Sequence, residues 1–458
     1  MQKTRRKITP VQLIVLGYLV AILLCTVLLL LPWSTVNRNS PDFMTAFFTA
    51  VSACSVTGLI LHDTALYWSI YGQIILLIFI QIGGVGFITI IISFMQLVGK
   101  KVGLFNRTVM QEAVSTPNLK GMVRLVHLII IGTVGFETLG AILLSFRFIP
   151  DYGWGLGIWV SIFTSISAFC NAGFDIMAIK TGGSMYNYLG DPIVSLVLPF
   201  LIFIGGIGFF VWRDIWENKF SFKKYSLHTK LVLITTLILI VFPNIIFMVT
   251  EWNNQLFKGN FGKLFLTSFF MSITPRTAGF TVLNLNYLHT VNIFMIIILM
   301  LIGGNSGSTA GGIKTTSASI FILMIWSKLR GKQDVESFKR RLDDESIANT
   351  GQIMAIFVLL TILSVLLMTL FEPSLLYMNP SYPNTDASLT IIFFEVISAL
   401  SNTGLSLGVT PKLGIDSQIL LCLLMFIGRT GCITFMLSLR KHGGKSVVKK
   451  PQEKVHIG

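Results

Sequence analysis

Four short phrases carry the chemistry that this sequence can perform: SVTGL at Ser55–Leu59, FCNAGFD at Phe169–Asp175, RTAGF at Arg276–Phe280 and SNTGL at Ser401–Leu405. Each sets a glycine among small, mostly polar residues between long apolar runs. Such a stretch offers backbone carbonyls. Glycine takes φ/ψ values that would cost a Cβ-bearing residue roughly 1–2 kcal/mol, so carbonyls on either side of it can turn to one axis. Carbonyls so arranged replace a cation's hydration shell, as in a selectivity filter. The expected filter residues are Val56, Thr57 and Gly58; Asn171, Ala172 and Gly173; Thr277, Ala278 and Gly279; and Asn402, Thr403 and Gly404.

Other side chains offer no comparable grouping. The five cysteines lie in apolar contexts with no CxxC pair, and the six histidines are scattered singly, so neither type has metal-ligand spacing. Glu137, Asp175 and Glu395 are not spaced for a catalytic cluster, and no nucleophile, base and acid group together. An enzyme is therefore not expected, and no resident cofactor is implied.

These phrases must be positioned by membrane-spanning elements. Of the 458 residues 53% are apolar and only 12% charged, about half the charged fraction of a soluble domain. The first apolar run, Val11 to Leu31, is uncharged and long enough to cross a hydrocarbon core roughly 30 Å thick, and reads as a retained helix. The net charge of +15 is distributed as membrane topology requires, not as a nucleic-acid surface. Basic residues gather at the N-terminus, at 100–124, at 213–230, at 328–341 and in the tail, so these segments and both termini should face the cytoplasm.

Between successive basic segments one pattern recurs four times. An apolar span (11–32, 123–147, 230–250, 352–371) precedes a half-polar segment ending in the glycine phrase, and a second apolar span follows (69–97, 192–212, 291–327, 416–438). Phe48, Phe163, Phe269 and Phe394 each stand ten residues before the phrase glycine. Ten helical residues rise about 15 Å, half a bilayer, so each middle segment is expected to be a re-entrant half-helix. Its C-terminal end would present a negative dipole to a cation on the axis. The fold class expected is an all-α polytopic membrane protein: four M1–P–M2 units (helix, re-entrant pore helix, helix) around a central pore with pseudo-fourfold symmetry. The units divide as 1–98, 99–213, 214–328 and 329–440, with a basic tail at 441–458. Because basic loops return to one side after every unit, the repeats are parallel, which argues against a transporter built from inverted repeats.

The second spans share QIGGVGF at Gln81–Phe87, FIGGIGF at Phe203–Phe209, LIGGNSG at Leu301–Gly307 and FIGRTGC at Phe426–Cys432. In the first two copies the small residues are expected to serve close helix packing. The third opens into GGNSGSTAGGIKTTSAS, Gly303–Ser319, an uncharged glycine-rich start inside what would be one helix. It is not a phosphate-binding loop, since Ile313 stands where the motif needs Lys and the flanks are apolar spans. It reads as a helix break crossing the conduit, a mobile plug below the filter, with Gly303, Gly304, Asn305, Ser306, Gly307, Gly311, Gly312 and Lys314 as gating residues. In the fourth copy Arg429 replaces the glycine. Either it faces the conduit as an electrostatic barrier, or it is paired with Glu137 or loop carbonyls for structure.

Taken together, the four filter phrases, the GGNSGSTAGGIKT loop and the GRTG arginine resemble the Trk/Ktr/HKT superfamily of potassium transporters over residues 8–440. Within it the chain is similar to the bacterial KtrB-type potassium-uptake membrane subunits, whose first span begins near the N-terminus as here. The resemblance implies channel-like K⁺ uptake, commonly Na⁺-stimulated, with K⁺ held by filter carbonyls. It also implies a homodimer in the bacterial plasma membrane, seated on a cytosolic ring of KtrA-type nucleotide-binding subunits. It maps the gating loop onto Gly303–Thr316 and the barrier onto Arg429. Glycine at all four filter positions resembles the K⁺-selective type; the alternative is a Na⁺-conducting or Na⁺/K⁺-symporting member. Arg276, beside the third phrase, is placed by this reading near the outer mouth, without a firm role.

Overall fold

A computed structural model describes residues 9–97, 103, 108–109, 111, 122–178, 185–219, 221–373 and 388–439. The basic N-terminus, most of the 99–121 loop and the tail from 440 lie outside the described residues, and so does their expected placement.

Four long apolar helices open the four units: Pro10–Leu29, Met122–Tyr152, Leu227–Thr250 and Asp344–Phe371. Each is long and apolar enough to span a bilayer. Residues such as Leu23, Phe146, Val249 and Leu370 lie on exposed outer faces. The starts of these helices are legible locally. Thr9 forms a reciprocal cap with Gln12 and Pro10 follows at the first helical position. Ser226 and Asp343 cap the third and fourth helices through the backbone N–H groups of Thr229 and Ser346.

Next in each unit comes a short helix: Phe43–Ser55, Trp154–Phe169, Phe261–Ile273 and Ser388–Leu400. The 13-residue examples rise roughly 20 Å, too short to cross. Phe48, Phe163 and Phe394 are fully buried on them. Phe269 departs from this pattern: it is partly buried and stacks on Phe265, and Phe270 fills the core instead. The third unit also turns differently at its helix end. There Ala278 N–H bonds the Thr274 carbonyl four residues back, whereas Thr57, Ala172 and Thr403 reach five back, to Ser52, Ser167 and Ser398.

The last helix of each unit differs from the expectation. A break in the third copy alone was expected, yet all four are in two pieces: Ile70–Val85 with Phe87–Leu97, Pro192–Gly206 with Phe209–Asn218, Thr290–Leu301 with Thr315–Leu329, and Ile415–Thr430 with Cys432–Leu439. In three copies the break falls at the last glycine of the phrase, Gly86, Gly208 or Gly431, with φ of +92°, +101° and +85°. Left-handed backbone cannot continue an α-helix, and glycine adopts it at little cost. The second pair is bent by 92°.

The units close on one another. Gln12 Nε2 donates to the Ser438 carbonyl at 3.3 Å, joining the first helix to the last segment of the fourth unit. At the opposite end of the spans, carboxylates after the third and fourth long helices meet the starts of the last helices. Glu251 accepts from His289 N–H and Asn292 Nδ2, and Glu372 accepts from Gly414 N–H. These polar groups satisfy helix ends that would otherwise be orphaned.

Candidate functional site: a glycine ring above an intramembrane loop

The four phrase glycines form a ring in chain order. A Cβ built on Gly58 would stand 2.5 Å from the carbonyl oxygen of Ala172; one on Gly173, 2.8 Å from that of Ala278. On Gly279 it would meet the Thr403 carbonyl oxygen at 2.3 Å, and on Gly404 the Thr57 carbonyl oxygen at 1.9 Å, which closes the circle. Each glycine thus faces the carbonyl just before the next one, and no side chain fits between.

Backbone conformation repeats around the ring. Val56, Asn171, Thr277 and Asn402 have φ of +57°, +58°, +70° and +55°, and the glycines two residues later have φ of +91°, +70°, +77° and +83°. The residues between them are not left-handed. Left-handed non-glycine residues are uncommon and costly, and here each is held from behind. Ser52 Oγ accepts from Gly58 N–H at 3.1 Å. Ser167 Oγ and Thr274 Oγ1 donate to the carbonyls of Phe174 and Phe280. Ser55 pairs with Thr57, and Ser401 with Thr403, each at 2.7 Å. Asn402 Nδ2 donates to Thr57 Oγ1 at 2.8 Å, which joins the fourth turn to the first. Glu395, fully buried, accepts from Ser406 Oγ, Leu407 N–H and Thr410 Oγ1, and so braces the irregular stretch beyond Gly404.

In three of the four second-span phrases the first glycine packs directly behind this ring, while Gly303 in the third faces the Gly311 carbonyl of its own loop. A Cβ on Gly83, Gly205 or Gly428 would lie 2.3, 1.9 or 2.1 Å from the carbonyl oxygen of Cys54, Phe169 or Leu400, at the end of the same unit's short helix. Close packing is therefore one use of the phrase, as expected for the first two copies, and the helix break is a second use that the sequence reading missed. The signal was present as the third glycine of GGVGF, GGIGF and GRTGC.

Residues 302–314 form a loop that touches the second and fourth units directly and reaches the first through Arg429. Asn305 N–H and Thr309 N–H donate to the carbonyls of Gly206 and Gly205, and Phe209 N–H donates to the Gly307 carbonyl. Thr309 Oγ1 donates to the Phe169 carbonyl and accepts from Asn171 Nδ2 at 3.0 Å, placing the loop against the second ring turn. Gly311 approaches Asn402 so closely that a Cβ would meet its Oδ1 at 2.6 Å. Lys314 Nζ donates to the Ala310 carbonyl at 2.8 Å, folding the loop on itself. Below it lies a cavity of about 300 Å³ bordered by Tyr18, Phe87, Phe209, Ser306, Lys314 and Arg429, with residues from all four units.

Arg429 does not pair with Glu137. Its Nη1 donates to the Thr309 carbonyl and its Nη2 to the carbonyls of Gly83 and Gly84, while the side chain also borders the cavity. Glu137 instead accepts from Gln81 Nε2 at 3.2 Å, behind the second ring turn. The geometry therefore supplies both halves of the two readings of Arg429: loop carbonyls as partners and a face on the cavity. Arg276 is a correction. Placed by the sequence near the outer mouth, it is buried, 7% exposed, with Nη2 on Thr315 Oγ1 at the end of the loop. Glu137, Asp175 and Glu395 remain apart from one another in role. Among the described residues no group of three or more His, Cys, Asp or Glu side chains is placed to hold a metal ion.

Comparison with known proteins agrees with this architecture. The sequence model of the family described as TrkH, cation transport protein, matches residues 8–449. The potassium/sodium uptake protein NtpJ of Enterococcus hirae is 35% identical, aligned over 100% of this chain and 99% of its own. The Ktr system potassium uptake protein B of Bacillus subtilis is 36% identical over 99% of this chain and 97% of its own. Among solved structures, that of the potassium transporter TrkH from Vibrio parahaemolyticus superposes with a TM-score of 0.69 at 16% identity, covering 96% of this chain and 86% of that one.

Proposed function

The chain belongs to the TrkH family of cation transport proteins, a multi-pass membrane transporter and not an enzyme, and on that premise we propose that it is the K⁺-translocating subunit of a bacterial potassium-uptake system. The observation that carries this reading is the closed ring in which each of four glycines faces the carbonyl preceding the next. Carbonyl dipoles on a common axis give up little reorganisation energy on binding a dehydrated monovalent cation, and their number and spacing discriminate between ions. In this reading Val56–Gly58, Asn171–Gly173, Thr277–Gly279 and Asn402–Gly404 are the filter. Loop 302–314 is the gate, and Arg429 both holds it and repels cations beneath the filter.

The remaining parts belong to the same proposal. The protein sits in the bacterial plasma membrane with both termini cytoplasmic, works as a homodimer, and is regulated by a cytosolic ring of KtrA-type nucleotide-binding subunits, with uptake stimulated by Na⁺. The relative named a Ktr system protein B supports a regulated multi-subunit assembly. The relative named a potassium/sodium uptake protein supports a second reading in which Na⁺ is itself transported. Purified protein in liposomes decides between them. The K⁺ reading expects Rb⁺ tracer uptake that excess K⁺ competes away and equal Na⁺ does not. Uptake of labelled Na⁺ at comparable rate favours the second reading, and no cation flux at all from correctly inserted protein removes both.

A further inference from the structure

From three residues before each ring glycine to one after it, Arg276 is the one charged residue, and its place in the third phrase is held by Ser55, Cys170 and Ser401 in the other three. Ser55 and Ser401 brace their own turns, so a guanidinium here must answer a different need. It makes no ion pair among the described residues, although it is almost completely buried. A charge withdrawn from solvent without a counter-ion is costly, and it persists where its hydrogen bonds fix something. Nη2 donates to Thr315 Oγ1 at 3.3 Å. Thr315 in turn gives its N–H to the Gly304 carbonyl and its hydroxyl to that of Gly303, both at 3.0 Å. These bonds join the two ends of the loop, and the Ile302–Ile313 bridge lies beside them.

Behind the guanidinium lies a small cavity of about 10 Å³ bordered by Gly206, Thr236, Arg276, Gly304 and Asn305. Two buried polar atoms at its border, Arg276 Nε and Asn305 Oδ1, have no hydrogen-bond partner within the protein. A space of that size holds one water, and a donor and an acceptor together would bind it. We propose that Arg276 is a positioning residue for the intramembrane loop: its guanidinium pins the loop's base at Thr315 and, through one shared water, at Asn305. Arg429 holds the same loop farther along at Thr309. The two cations divide the work. Arg276 keeps the ends of the loop together beside the third ring turn, and Arg429 fastens its middle to the first unit.

This assignment concerns the loop's position. It rests on the gate reading above only where flux is the readout. The test compares Arg276→Gln, Arg276→Lys and Thr315→Val, each carrying Ser308→Cys as a reporter in the middle of the loop, with the reporter alone. The rate of modification of Cys by a charged, membrane-impermeant thiol reagent is read alongside Rb⁺ flux in liposomes. Arg276→Gln and Thr315→Val should each speed labelling on the order of tenfold, equivalent to about 1.4 kcal/mol. Arg276→Lys, which keeps charge but loses the planar fork, should restore the slow rate only partly. Accelerated labelling with unchanged flux supports the pin and counts against the loop as gate, which separates the two ideas. Parent labelling rates in well-assembled Arg276→Gln overturn the proposal, as does a change in K⁺ over Na⁺ preference with no change in labelling. If Arg276→Gln does not assemble, Arg276→Lys decides, faster labelling than the parent's supporting the pin and the parent rate overturning it, because Thr315→Val also removes the hydroxyl's bond to the Gly303 carbonyl.

Discussion

At Gly58 two independent costs meet any side chain: φ is +91°, and a Cβ would press on the Ala172 carbonyl oxygen. The first amounts to roughly 1–2 kcal/mol, and the second must displace a ring carbonyl. Gly58→Ser should therefore relax K⁺ over Na⁺ preference more than it lowers expression. If competition by the two ions matches the parent's, the filter assignment in this unit fails. Arg429 invites a different argument. A guanidinium about 8 Å from a cation repels it by roughly 2 kcal/mol at an effective dielectric near 20, about 30-fold in occupancy. Yet the side chain also spans the carbonyls of Thr309, Gly83 and Gly84, which a single ammonium cannot grip in the same planar geometry. Arg429→Ala should raise partner-independent flux most, with Arg429→Lys in between, since it keeps the charge and loses the grip. Lys indistinguishable from Arg would leave charge alone as the cause.

For the helices that end each unit, glycine acts in two ways within one phrase. Gly205 lets the second unit's last helix approach the end of its short helix, where a Cβ would lie 1.9 Å from the Phe169 carbonyl oxygen. Overpacking of that kind costs about 1–3 kcal/mol. Gly205→Ala should accordingly lower the thermal midpoint in detergent, whereas Gly135→Ala, with nothing nearby to meet a Cβ, should not; equal midpoints for the two would refute the packing argument. The loop is the third unit's version of the break, lengthened until it reaches the second and fourth ring turns through Asn171 and Asn402. Removing several residues between Ser306 and Gly311 should raise flux and weaken control by a cytosolic partner. A folded deletion variant with parental flux would take the loop out of the gate.

The proposed topology of four parallel units puts the two ends of the chain on one side, and the bond from Gln12 to the Ser438 carbonyl brings the first and last described segments together. Short epitope tags placed at each end should both stay hidden from antibody in intact cells and become accessible only after permeabilisation. A single exposed tag would break the proposed orientation. The arrangement also explains why the outer surface is so apolar. The long first helices face outward, and the polar side chains that hold the ring lie behind it, buried in protein where irregular backbone is tolerated at membrane depth.

The number of units and the location of the glycine phrases were legible in the sequence, because hydropathy and a recurring glycine leave marks that survive without coordinates. GGNSGSTAGGIKT likewise announced an interrupted helix by composition. The breaks at Gly86, Gly208 and Gly431 were read past, since one glycine in an apolar run does not reveal whether its φ will be positive. Arg276 and Arg429 were ambiguous for a related reason. The partners of Arg429 are carbonyls of Gly83, Gly84 and Thr309, and that of Arg276 is Thr315, 39 residues away. Backbone carbonyls carry no residue identity and the Thr315 hydroxyl is remote in sequence from Arg276, so only the tertiary structure decided that one guanidinium bridges units and the other lies buried at the loop's base.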